Sequence, residues 1–355
     1  MFHSSRTLVV LALLTQLLDR GQSLSDKQVA TAVAAIIDEQ VPALAKADFL
    51  AALARKGETP AEIAGFARGL RDLSIQPPLD AETRGRQILD VCGTGGDRLN
   101  TFNISTCVAL IAAAGGITVA KHGNRAVTSQ AGSADVLEAL GVAIDLTPVQ
   151  AARALRERRF AFFFAPRYHP TFKHIAAARK LCAERGQRTI FNFLGPLLNP
   201  ARPTAQLIGV PHPRLCEPIA KVLQTLGVRR GMVVSGRVGE AYLDELSTLG
   251  ETTIAEFYQD RGFHLSEMKP DAFPLAPATL ADLRGADRAT NAETVRRILR
   301  GEERGPRRDA VLLNAAAAFV VADQARSFAE GWERAAKLID GGTALAKLVE
   351  LRLSI

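Results

Sequence analysis

The chain reads as an α/β protein in which a small helical domain is hinged to a larger α/β domain with a mostly parallel central sheet. Three observations predict this. Apolar residues recur at helical spacing through about residue 75, Gln76-Pro77-Pro78 then breaks the pattern, and short apolar runs alternate with helical stretches afterwards. A length of 355 residues exceeds one simple core and suits two domains. With 47% hydrophobic and 23% charged residues, the composition is that of a folded chain rather than a disordered one.

In order, Leu8–Leu18 is too short to span a bilayer, and no small-residue cleavage site follows it, so it is read as a first helix rather than a signal segment. Leu11, Leu14 and Leu18 share its inner face, and Gly21 suits its end. Ser25 caps a helix through Ile36 and Ile37, and another runs over 46–55 with Phe49, Leu50 and Leu53 inward. Thr59-Pro60-Ala61-Glu62 is a start signal of Thr cap, Pro at the first helical position, then an acid; Ile63, Phe66, Ala67 and Leu70 follow on one face. Beyond the candidate hinge, strands are expected at 87–92, 117–120, 142–146, 160–164, 205–210, 230–235 and 252–257. Helices are expected at 106–114, 133–140, 148–156, 309–321 and 331–351.

The formal charge is +7, yet Lys and Arg are interspersed with acids, as in Arg156-Glu157-Arg158-Arg159. No basic stripe with interleaved aromatics marks a nucleic-acid partner, and no stretch marks a membrane partner. The four cysteines, Cys92, Cys107, Cys182 and Cys216, form no close pair, which fits reduced thiols in a cytoplasmic protein and spells out no zinc motif.

Chemistry concentrates at strand ends. Gly93-Thr94-Gly95-Gly96-Asp97 lets the backbone bend sharply and turn its N–H groups toward an anion, although alone it is a tight turn as readily as a phosphate cradle. Asn103, Ser105 and Thr106 open the next helix and Ser133 a later one; taken singly each is a helix cap. Lys121-His122-Gly123-Asn124-Arg125 follows a strand at the edge where open α/β sheets bind ligands. The coincidence of three polar, anion-friendly termini outweighs each on its own. His169 and His174 have poor spacing for a metal, and Arg179 is a carboxylate clamp or a surface cation. Asp244-Glu245 within an apolar turn offers hard oxygens of the kind Mg²⁺ takes, or is a solvated turn.

Together, Gly93–Asp97, Thr101-Phe102-Asn103-Ile104-Ser105-Thr106, Lys121–Arg125, Gly132-Ser133-Ala134-Asp135, Tyr168-His169-Pro170, Arg188–Asn192, Leu194–Pro200 and Asp244-Glu245 resemble the anthranilate phosphoribosyltransferases in order and spacing. So does Lys56-Gly57-Glu58-Thr59-Pro60, and the resemblance runs from about Leu11 to Leu351. It implies a helical domain over 1–75, with about 173–190 returning to it, and a donor-binding α/β domain over 79–172 and 191–355, usually in a homodimer. It implies transfer of a phosphoribosyl group from 5-phosphoribosyl-1-pyrophosphate to anthranilate. The donor would lie against Gly93, Gly96, Asp97, Thr101, Asn103, Ser105, Thr106, Lys121, Asn124 and Ser133. Mg²⁺ would lie on Ser105, Asp244 and Glu245, and the acceptor among Gly93, His122, Asn124, His169 and Arg179. No general base is implied. The 41–48 and 179–188 segments depart from the family pattern, which leaves a different aromatic acceptor, or a nucleoside phosphorylase of the same architecture, as the alternative.

Overall fold

The computed structural model describes residues 2–126, 130–259 and 262–353. Four helices open the chain: α1 (Phe2–Asp19), α2 (Asp26–Ile37), α3 (Ala43–Lys56) and α4 (Pro60–Asp72). Their starts follow the local chemistry. Thr59 accepts from the Glu62 N–H while the Glu62 carboxylate takes the Thr59 N–H, and Gly21 ends α1 at φ +75° with its N–H on the Leu18 carbonyl. Leu11, Leu14, Leu18, Phe49, Leu50, Leu53, Ile63, Phe66 and Leu70 are buried together. No helix among the described residues is long and apolar enough to cross a membrane.

The sheet has eight strands: β1 (Ile88–Gly93), β2 (Thr118–Gly123), β3 (Phe160–Phe164), β4 (Ala205–Gly209), β5 (Arg230–Val238), β6 (Ala241–Leu243), β7 (Thr252–Tyr258) and β8 (Gly262–Met268). The spatial order is β3-β2-β1-β4-β5-β7-β8, with β6 also on β5. The pairs from β3 to β5 are parallel, and those involving β6, β7 and β8 are antiparallel. The chain moves outward from β1 through β2 to β3, then returns to place β4 on the opposite side of β1. The carboxyl ends of β1 and β4 therefore flank a topological switch point, where such sheets bind ligands.

Side-chain alternation sorts the two faces. Leu89, Val91, Val119, Leu207 and Val234 pack under the helices Ile104–Ala114 and Pro306–Val321. On the other face, Ile208, Val233 and Ala255 pack with the helix Cys216–Thr225, which also meets α4, so that helix joins the bundle to the sheet. Ile175, Ala178 and Cys182 of the 173–190 stretch are buried in that same bundle core, and Lys46 of α3 donates its ammonium to the His174 carbonyl at 2.8 Å.

Three expected elements differ. The strand expected at 117–120 runs on through Gly123, so Lys121 and His122 lie in the ladder rather than after it. Val142, Ile144 and Leu146 are buried at alternate positions, but the segment has no neighbouring strand to pair with and is an extended connector, not a strand. The expected helix at 331–351 is two helices, Phe328–Asp340 and Thr343–Leu351, because Gly341-Gly342 ends the first and Gly342 turns at φ +75°.

Candidate active site

The parallel strands β1 and β2 end side by side, and each ends in a loop rich in polar backbone. Gly95 and Gly96 take φ +71° and +98°, so the turn after β1 curls back over the strand ends. With the helix start at Ile104, the loop after β2 and the acid pair after β6, it encloses a cavity of about 420 Å³. Every residue expected on the donor and metal side lines it, as do Gly93, His122 and Asn124 from the acceptor side.

The acid pair is held by what two glycines lack. A Cβ at Gly93 would stand 2.4 Å from the Asp244 Oδ2, and one at its register partner Gly209 would stand 1.5 Å from the Asp244 carbonyl oxygen. Asp244 thus sits against the bare ends of β1 and β4, and its Oδ2 accepts from the Gly95 N–H at 2.6 Å. The Ser105 N–H, at the start of its helix, donates to Glu245.

Burial and crowding set the charges. Burial raises the Asp244 carboxyl well above the ordinary range, and the nearby charges of Asp97 and Glu245 raise it further. Burial lifts Glu245 to about 8, with Lys121 opposing and Asp97 adding. Burial lowers the Lys121 ammonium, against the pull of Asp90, Cys92 and Glu245. Its Nζ donates to the Val91 carbonyl at 2.8 Å and to Ser105 Oγ at 3.3 Å.

Such a cluster suits a hard divalent cation. Asp97 Oδ2, Thr94 Oγ1 and Thr106 Oγ1 are buried without a hydrogen-bond partner, and three acids stand close with one ammonium among them. No three His, Cys, Asp or Glu side chains among the described residues form a closed metal cage. Adjacent carboxylates are what Mg²⁺ takes, completing its shell with water and substrate phosphate.

Because β2 alternates, Lys121 and His122 point to opposite faces. His122 Nδ1 is 3.2 Å from the Gly195 carbonyl, and its Nε2 is 3.2 Å from His169 Nε2. A carbonyl only accepts, so His122 carries its proton on Nδ1 and its Nε2 accepts from His169. His169 Nδ1 makes no hydrogen bond of ordinary geometry, and the Leu198 carbonyl beside the ring partly opposes the effect of burial. Burial lowers His122 to about 3, with His169 adding to the effect, and burial lowers His169 to about 4. Both rings are neutral at pH 7.

His169 lies behind His122 rather than on the cavity wall. Arg179 lines an adjoining cleft of about 460 Å³ and stacks its guanidinium 5.1 Å from the Phe191 ring centre. Asn103 has little freedom for a ligand, since its amide donates to the Ala131 carbonyl and accepts from Asn291. Ser133 does not cap its helix; Gly132 occupies the cap, and the Asp135 carboxylate takes the Gly132 and Ala126 N–H groups. Arg125 is bound to Asp135 and Glu138.

Two residues were not anticipated. Asp90 is buried within β1, where burial lifts its carboxyl to about 6; it accepts from the Asn199 amide at 2.8 Å and from the His122 N–H. Asn199 also donates to the Ala120 carbonyl, tying β1 to β2 beneath the cavity. An acid inside the apolar run Ile88–Cys92 was the available signal.

Residues 85–345 match the family described as glycosyl transferase family, a/b domain, and residues 11–74 match glycosyl transferase family, helical bundle domain. The chain is 47% identical over 339 residues to the anthranilate phosphoribosyltransferase of Caulobacter vibrioides, covering 96% of this chain and 95% of that one. Its structure is similar to the anthranilate phosphoribosyltransferase of Thermus thermophilus, with TM-score 0.85, 40% identity, and 96% and 98% of the two chains covered. It is also similar to the Saccharomyces cerevisiae protein solved with PRPP and Mg, with TM-score 0.85, 27% identity, and 97% of both chains covered.

Proposed function

Since the chain belongs to the anthranilate phosphoribosyltransferase family, we propose that it transfers the 5-phosphoribosyl group of 5-phosphoribosyl-1-pyrophosphate to anthranilate and releases pyrophosphate, a step of tryptophan biosynthesis. The observation that carries this reading is the gathering of the 93–97 turn, Lys121 and the Asp244-Glu245 pair around one cavity.

The anthranilate nitrogen attacks C1 of the ribose, the C1–O bond breaks, and its electron pair leaves with pyrophosphate. The nitrogen then sheds one proton. Negative charge grows on the leaving group, so fixed positive groups there lower the barrier. Lys121 supplies a buried point charge, and the N–H groups of the glycine turn supply dipoles. Mg²⁺, held by Asp244, Glu245 and Ser105, supplies further neutralisation of phosphate charge when bound. Gly93, Gly96, Asp97, Thr101, Thr106, Asn124 and Ser133 position the donor; Gly93, His122, Asn124 and Arg179 form the acceptor side, with His169 backing His122. The aromatic amine is a sufficient nucleophile, so positioning dominates and no side chain is assigned as general base.

Residues 1–75 with 173–190 act as the helical unit closing on the rest, a division supported by their shared core. The enzyme works in the cytoplasm, in keeping with four unpaired thiols. It works as a homodimer; exposed Val9 and Leu13 on α1 and Leu44 on the adjoining α3 support a contact through the bundle. Purified protein with Mg²⁺ and donor should consume anthranilate and release pyrophosphate in equal amounts. Turnover with another aromatic amine and none with anthranilate would overturn the assignment.

A further inference from the structure

The turn after β1 holds a cation that the donor chemistry does not use. Arg98 follows Asp97 and lines both the donor cavity and the adjoining cleft that contains Arg179. That cleft carries Arg98, Arg179, Lys180 and Arg188, and no carboxylate lines it. Three of these cations come from the 179–188 segment, while Arg98 alone comes from the donor turn on the opposite wall. Its guanidinium makes no hydrogen bond or ion pair among the described residues, unlike the neighbouring Arg125, which two acids hold.

Its backbone is also costly. Arg98 adopts φ +60°, and Asn100 two residues on adopts φ +54°. A left-handed arginine gives up free energy that glycine would not, and such strain persists where surrounding structure or function requires the side chain.

We propose that Arg98 is a specificity-determining residue that grips the acceptor's carboxylate from the donor side of the seam, opposite Arg179. The guanidinium meets a planar anion with paired N–H donors, a geometry an ammonium cannot copy. This rests on the acceptor being an aromatic carboxylate, as the function above has it. The donor turn thereby reads the acceptor as well as the donor.

Arg98→Gly and Arg98→Lys test it, and Gly fits the left-handed backbone, so the fold is not at stake. Steady-state kinetics should show the KM for anthranilate rising about tenfold in Arg98→Gly, as expected for loss of one charge-assisted contact, with partial recovery in Arg98→Lys. The KM for the donor should stay unchanged, and the uncharged 2-aminobenzamide should be used equally by all variants. Benzoate binding to the full chain, measured by calorimetry, should weaken by the same factor. An unchanged anthranilate KM and unchanged benzoate affinity would overturn the role of Arg98 while leaving the reaction standing. A raised donor KM with acceptor terms unmoved would overturn it too. A parent protein that binds benzoate through Arg98 yet turns over no anthranilate would instead remove the reaction.

Discussion

Gly209 lies directly beneath the Asp244 carbonyl, so close that a methyl group at Gly209 would overlap that oxygen at 1.5 Å. The acid pair can occupy the mouth of the cavity only because β1 and β4 end without side chains there.

Gly209→Ala should therefore displace Asp244. Backbone overlap of this kind costs about 1–3 kcal/mol of stability. Turnover should fall at least tenfold even where the protein remains folded, because the acids would no longer face Lys121. Thermal unfolding together with a Mg²⁺ titration of turnover measures both; normal Mg²⁺ dependence in a folded variant would contradict the placement.

Asp244→Ala combined with Glu245→Ala should abolish Mg²⁺-dependent turnover while the circular dichroism spectrum stays that of the parent. Both side chains are buried and neither pairs with a basic side chain in an ion pair, so removing them costs the core little. Kinetics equal to the parent's would take these acids out of the reaction.

Lys121→Met should raise the donor KM by about a hundredfold, the scale of one or two charge-assisted contacts at about 1.5–3 kcal/mol each, and leave the acceptor KM close to the parent's. The ammonium reaches the Val91 carbonyl and Ser105, on the face away from His122. A change confined to the acceptor term would place Lys121 on the wrong side of the strand.

The histidine pair should make stability fall with acid. Each ring is lowered by burial from 6.5, to about 3 for His122 and about 4 for His169. Between those values and 6.5 the unfolded chain binds more protons than the folded one, so stability rises with pH and is lost as pH falls through that window. From pH 7 to 5 the loss is about 2 kcal/mol per ring at most. Urea unfolding of His122→Asn plus His169→Asn should show a shallower acid limb than the parent; equal slopes would mean the rings titrate normally.

The helical half was legible because its caps are local: Ser25, Thr59-Pro60 and Gly21 each act within a turn of themselves. Strands β1 and β3 were legible from continuous apolar runs, while β2 was legible only through Ala120, because Lys121-His122 breaks the apolar run yet stays in the ladder. Edge strand β8 was not, since Gly262–Met268 is largely exposed and has no buried alternation to read. The 142–146 segment shows the converse: its alternation is real, but a strand also needs a partner. The site divides in the same way. Residues that sit on strand ends could be named from the sequence, and only the sheet order reveals that Asp244 rests on Gly93, far earlier in the chain. Asn103 shows what residue type cannot convey, because its amide is already spent on Ala131 and Asn291.

The ammonium of Lys46 is almost wholly enclosed and reaches across to the carbonyl of His174, between His169 and Arg179 in the chain. The bundle is thus tethered to the stretch of backbone that carries His169 and Arg179, the side chains proposed to meet the acceptor. Any tilt of those helices pulls on this cord, so lesions deep in α3, remote from both substrates, should announce themselves first as poor recognition of the aromatic ring rather than as unfolding.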